Sequence, residues 1–184
     1  MNSVSIVVPV YNESVRLKKT LPILSTYSQQ DFVKEIIFVD DGSTDATRKI
    51  LTEIAAKNKK ISVISYQKNK GKGYAVRKGC LAAKGSIVGY IDVDLSAPLE
   101  YIDTAVARLS YADIVIGSRK KGITAQYPRS QYYRKYISIC SSAIRKLFVL
   151  SNIEDTQCGF KFFKKKAIET IAQRAKENGY VFDI

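Results

Sequence analysis

A chain of 184 residues with 46% apolar and 26% charged side chains is long enough for one domain with its own core and is ordinary for a soluble globular protein. The absence of histidine excludes imidazole catalysis and histidine-bound metals, and the three scattered cysteines, Cys80, Cys140 and Cys158, make neither a disulfide framework nor a zinc site. The net charge of +13 is uneven: residues 1–116 hold 16 Lys/Arg against 12 Asp/Glu and residues 117–184 hold 14 against 5, a bias that suits phosphate-bearing partners or a lysine-rich solvated surface.

The predicted elements alternate along the chain. VSIVVPV (4–10) reads as a strand and is followed by a helix over about 13–27. EIIFVDD (35–41) is a second strand, and Ser43-Thr44-Asp45 opens a helix to about 57. ISVISY (61–66) precedes a helix over about 73–84, and SIVGYID (86–92) precedes one that begins at Pro98. ADIVIGS (112–118) is the fifth strand. Strands apolar on both faces, each followed by a helical segment, predict a mainly parallel sheet flanked by helices. Beyond 118 the spacing predicts a loop, a helix over about 130–150, a turn and short strand in NIEDTQCGFKFF, a helix in KKKAIETIAQRAKENG, and a strand-like end at GYVFDI. We expect a single domain over 1–184, cut short at its C-terminal end. No apolar run approaches the roughly 18 residues of a membrane span, and MNSVSIVVPV has no basic leader, so a cytoplasmic location is expected.

In an open parallel sheet, ligands bind beyond the carboxyl ends of the strands. Five consecutive predicted strand ends carry polar groups: Pro9 to Glu13, Asp40 to Asp45, Asn69 to Gly73, Asp92 to Asp94, and Gly117 to Arg119. Strand alternation would aim Asp92 and Asp94 the same way, and two such carboxylates repel unless a cation or a shared proton lies between them. A metal belongs there, or the pair flanks a turn. DDGSTD read alone is a turn with a helix cap, and GKG a loop with two solvated lysines.

PVYNE, VDDGSTD, NKGKGYAVRKG, DVD, GSR and DTQCGFK, in that order and at these spacings, resemble family 2 glycosyltransferases of GT-A fold, and more narrowly the dolichyl- and undecaprenyl-phosphate hexose synthases. The resemblance runs from about Ser5 to the last residue. It implies inverting, metal-dependent transfer of a hexose from a nucleotide-diphosphate sugar to a polyprenyl phosphate, a step in building glycans of the cell envelope. Carried over residue by residue, it implies that Pro9, Tyr11 and Glu13 hold the nucleoside, that Asp41 reads the base, and that Lys72 lies beside the nucleotide. It implies that Asp92 and Asp94 hold Mg²⁺ or Mn²⁺ against the diphosphate, and that Arg119, Arg134 and Ser138 contact the acceptor phosphate. Asp94, Asp155 and Arg119 are the expected catalytic positions.

An acceptor phosphate is already anionic and needs no strong base, so the missing histidine does not hinder this reaction. A hydroxyl acceptor would need one, and Asp155 is then the candidate. The basic end also suits peripheral docking on an anionic membrane face. Two alternatives stay open: a nucleic-acid-binding module, for which no reading motif is present and no nucleic acid is expected, and a catalytically silent domain that binds nucleotide.

Overall fold

The computed structural model describes residues 2–118 and 158–174. Six strands, β1 (Val4–Val10), β2 (Val33–Asp40), β3 (Ile61–Ser65), β4 (Ile87–Ile91), β5 (Ile114–Ile116) and β6 (Phe160–Lys164), form one sheet in the order β3-β2-β1-β4-β6-β5. The helices between and after them are α1 (Ser14–Tyr27), α2 (Thr47–Lys57), α3 (Lys72–Ala82), α4 (Tyr101–Arg108) and α5 (Lys165–Arg174). β1 to β4 are parallel, and β6 runs antiparallel to both of its neighbours, β4 and β5. The mainly parallel sheet expected from the sequence is therefore present, with one reversed strand wedged between β4 and β5. The expected helix over 130–150 and the strand-like end at 179–184 lie outside the described residues.

Strand alternation divides the core into two layers. Val4, Ile6 and Val8 of β1, with Ile36 and Phe38 of β2 and Phe160 and Phe162 of β6, face one side. There they meet Leu17, Leu21 and Leu24 of α1, Leu51 of α2, and Ile102 and Ala105 of α4. Leu17, Thr20, Leu21 and Leu24 are spaced to share one face of α1, which is why this segment folds as a helix against the sheet. Truncating Leu24, which is fully buried, to alanine would cost about 2–5 kcal/mol. On the other side, Val7, Ile37, Val39, Val88 and Tyr90 meet Ala75, Val76 and Cys80 of α3 and Ile168 of α5.

The chain order places the ligand crevice. From β1 the chain steps outward to β2 and β3, then returns to pair β4 on the other side of β1, which makes a switch point between β1 and β4. The β1–β4 ladder stops at Val7↔Tyr90, while the β1–β2 ladder continues to Val10↔Asp40. Beyond Val7, β1 is paired on one side only, and Pro9, which has no N–H to give, falls in that stretch.

Three local expectations differ from the structure. α4 begins at Tyr101 rather than Pro98, because the carbonyls of Pro98 and Leu99 accept from Tyr101 and Ile102 N–H in tight i→i+3 turns. β5 is three residues long rather than seven. β4 ends at Ile91, so the alternation that would set Asp92 and Asp94 on one face does not reach Asp94.

Candidate functional site at the carboxyl ends of the parallel strands

The loops that follow β1 to β4 are tied to one another by side chains, in strand order across the switch point. After β1, Asn12 turns with φ 53° and its amide N–H donates to Ser43 Oγ at 2.9 Å, while Thr44 N–H donates back to Asn12 Oδ1 at 2.8 Å. Glu13 N–H donates to Thr47 Oγ1 at 2.8 Å, and the Asp45 carboxylate accepts from Ser14 and Thr47 N–H at 3.1 and 2.9 Å. The first turns of α1 and α2 therefore share their caps. Burial would raise the Asp45 pKa, but the hydrogen bonds from Thr47 and Ser14 outweigh it and hold the carboxyl below its usual range.

Asp40 and Asp41, at the end of β2, are both buried, and each has a distinct set of partners. Asp40 accepts from Ser43 N–H at 3.0 Å and from Arg48 Nε at 2.9 Å, and Arg48 Nη2 also donates to the Tyr66 carbonyl at 2.6 Å. Asp41 accepts from Lys70 and Gly71 N–H at 2.8 and 2.9 Å, which pins the loop after β3 against the end of β2. Gly42 completes this junction with φ 74°, and a Cβ there would stand 2.7 Å from Asn69 N. The Tyr66 hydroxyl is buried close by without a hydrogen-bond partner among the described residues, and burial together with Asp41 raises its pKa.

From the pinned loop, α3 starts at Lys72, whose Nζ lies 2.8 Å from Asp92 Oδ1 at the mouth of β4. The cation beside the first carboxylate of DVD is thus a lysine ammonium. Asp92 N–H donates to the Gly159 carbonyl at 3.0 Å, tying β4's exit to β6's entry. Asp94 is exposed and accepts from Ser96 N–H at 3.0 Å within the turn, where Leu95 takes φ 51°. Beside this line lies a basic, aromatic patch: Lys70 Nζ sits 4.6 Å from the Tyr74 ring centre, Arg77 sits 5.5 Å from it, and Tyr66 meets Tyr74 edge-on.

The structure therefore gathers Tyr11, Glu13, Asp41, Lys72, Asp92 and Asp94 at one end of the sheet. Tyr11 is exposed, Glu13 is half-buried and paired with Arg16, and Pro9 is buried within β1. Arg119, Arg134, Ser138 and Asp155 lie outside the described residues. Asn12, Arg48, Tyr66 and Gly159 also belong to the site's frame, and the sequence reading gave them no role. The PVYNE and CGFK motifs contained two of them, but their partners are set by sheet order. Cys80 is buried on the inner face of α3, where burial pushes its thiol up to about 12, away from the thiolate that a nucleophile needs.

Among the described residues no three acidic or cysteine side chains converge as a metal cluster. Asp92 and Asp94 nonetheless offer hard oxygen donors two residues apart, and the Lys72 ammonium shows that the first already attracts a cation. That donor set suits Mg²⁺ or Mn²⁺, which keep waters and take phosphate oxygens as their remaining ligands.

The family model described as "Glycosyl transferase family 2" matches residues 5–172. A dolichyl-phosphate beta-glucosyltransferase of Trichomonas vaginalis, ALG5C, is 31% identical across 96% of this chain and 56% of its own length. The human dolichyl-phosphate beta-glucosyltransferase is 29% identical across 98% of this chain and 60% of its own. The chain thus spans somewhat more than half the length of these curated relatives. Among solved structures, glucosyl-3-phosphoglycerate synthase of Mycobacterium tuberculosis, in complex with Mn²⁺, UDP-glucose and phosphoglyceric acid, superposes with TM-score 0.72 at 22% identity. That match covers all of this chain and 63% of the synthase.

Proposed function

The chain belongs to glycosyl transferase family 2, and from that premise we propose that it transfers a hexose, with inversion, from a nucleotide-diphosphate sugar to a polyprenyl phosphate. The observation that carries this reading is the match along 96% of the chain to a dolichyl-phosphate beta-glucosyltransferase. The same relatives make glucose the first sugar to test, and the synthase complex with UDP-glucose makes that the first donor to test.

Each part of the site has a chemical task in this reading. The nucleoside lies across the β1 and β2 loops, against Tyr11, Glu13 and Asp41. Both Asp41 oxygens accept one backbone N–H each, which leaves a second lone pair on each for the base. The diphosphate lies toward α3 and the mouth of β4, where Lys70, Lys72 and Arg77 supply positive charge. Asp92 and Asp94 would hold Mg²⁺ or Mn²⁺, and a bound cation there would stabilise the charge that develops on the leaving diphosphate. Lys72 pairs with Asp92 and would add its positive charge toward the bound diphosphate.

The acceptor phosphate attacks as an anion, so no side chain has to remove its proton. Arg119, Arg134 and Ser138 are proposed to hold that phosphate, through the bidentate fork of arginine in particular. The basic surplus after residue 117 fits an anionic membrane face as the place where acceptor and enzyme meet. No helix among the described residues is long and apolar enough to cross a membrane.

Calorimetric titration of UDP-glucose and GDP-mannose, with Mn²⁺ and with EDTA, tests the donor half of this reading. One donor should bind, at least tenfold more tightly with Mn²⁺, and Asp94→Asn should remove that gain while leaving metal-free binding in place. Equal binding with and without metal would contradict the role given to Asp92 and Asp94.

A further inference from the structure

We propose that Gly159 is a positioning residue for Asp92, because the place where a side chain at 159 would sit is the place that the Asp92 carboxylate occupies. A Cβ built on Gly159 would overlap Asp92 Oδ2 and Cγ and stand 2.8 Å from Oδ1. The backbone does not explain the glycine, since Gly42 and Gly71 are the described glycines with positive φ. What requires it is the close approach of the carboxylate.

Two contacts fix Asp92 at this point. Its N–H donates to the Gly159 carbonyl at 3.0 Å and its Oδ1 pairs with Lys72 Nζ at 2.8 Å, while its Oδ2 lies where a Cβ on Gly159 would stand. The carboxylate is held from two sides and still reachable, with 30% of the side chain exposed. Gly159 leads into β6, which is paired along both edges, to β4 and to β5. A methyl group at 159 therefore meets a backbone that resists moving and a short side chain that turns about χ1. The carboxylate gives way, and its oxygens leave the mouth of β4.

This inference rests on the proposed reading of Asp92 as a ligand of the metal that faces the diphosphate. The test is UDP-glucose binding by Gly159→Ala, measured by calorimetry with Mn²⁺ and with EDTA, in the native sequence and in an Asp92→Ala background. Gly159→Ala should weaken Mn²⁺-dependent binding at least tenfold and leave binding in EDTA unchanged. In the Asp92→Ala background it should have no further effect, because no carboxylate remains to be displaced. A loss equally large in EDTA, or equally large in the Asp92→Ala background, would mark a general structural defect and overturn the proposal, as would unchanged Mn²⁺-dependent binding.

Thermal unfolding keeps the two readings apart. Should native-sequence protein bind UDP-glucose indifferently to Mn²⁺, the metal reading of Asp92 falls, and the contact is judged by Tm. Gly159→Ala should then lower Tm by a few degrees in the native sequence and by much less in the Asp92→Ala background. An equal drop in both overturns the positioning role.

Discussion

Asp41 shows how one buried carboxylate at a strand end can set a whole loop. It is 3% exposed, and its two oxygens take the N–H groups of Lys70 and Gly71, from a segment about thirty residues further along the chain. Those bonds carry charge on the acceptor side, and such bonds contribute about 1.5–3 kcal/mol each. Asp41→Asn should therefore destabilise the fold by about 2–3 kcal/mol in urea unfolding, since the amide keeps one acceptor and turns a donor toward an N–H. A loss below about 0.5 kcal/mol, within the range of an ordinary surface substitution, would contradict the pinning role. The motif VDDGSTD was legible as a strand end with polar groups, and as a turn with a helix cap. That the second aspartate reaches across to the next loop was not, because local spacing carries no information about which strand lies alongside. The same holds for Lys72 and Asp92, which are twenty residues apart in sequence and 2.8 Å apart in space.

The shared cap between α1 and α2 acts at the scale of elements. Asp45 accepts from Ser14 at the start of one helix and Thr47 at the start of the other, so its charge faces two helix N-termini at once. Its pKa is held below the ordinary value of 3.8, which fixes the sign of its pH dependence. The stabilisation is fully present above that ordinary value, near neutral pH, and is lost as pH falls through the lower folded value. Asp45→Ala should lower Tm at pH 7, and the difference between variant and native sequence should shrink below about pH 4 as the unfolded carboxyl takes up its proton. A Tm difference that stays constant from pH 7 to pH 3 would contradict the account. Elements were the most legible level of this fold. The apolar runs in β1 to β4 and the 3–4 spacing in α1 announce themselves locally. The short β5 and the delayed start of α4 did not, since both depend on where neighbouring backbone supplies hydrogen bonds.

Across the whole molecule, the sheet order explains why these loops converge. The chain's return from β3 to β4 across β1 puts the ends of four parallel strands along one rim, and β6 closes that rim beside β4. The parallel half was readable from strands that are apolar on both faces; the insertion of β6 between β4 and β5 was not, because pairing over such a separation leaves no local trace. The rim gathers Tyr11, Glu13, Asp41, Lys72, Asp92 and Asp94, the residues to which the proposed function gives the nucleotide and the metal. The central claim is transfer to a lipid phosphate. It is tested most directly by incubating the chain with UDP-[¹⁴C]glucose, Mn²⁺ and dolichyl phosphate or undecaprenyl phosphate in mixed micelles, then counting label in the organic phase. The account predicts Mn²⁺-dependent label in the lipid fraction as a β-linked glucosyl phosphate, falling at least a hundredfold with EDTA or with Asp94→Asn. Release of free glucose with none in lipid, or lipid labelling indifferent to EDTA and to Asp94→Asn, would contradict it.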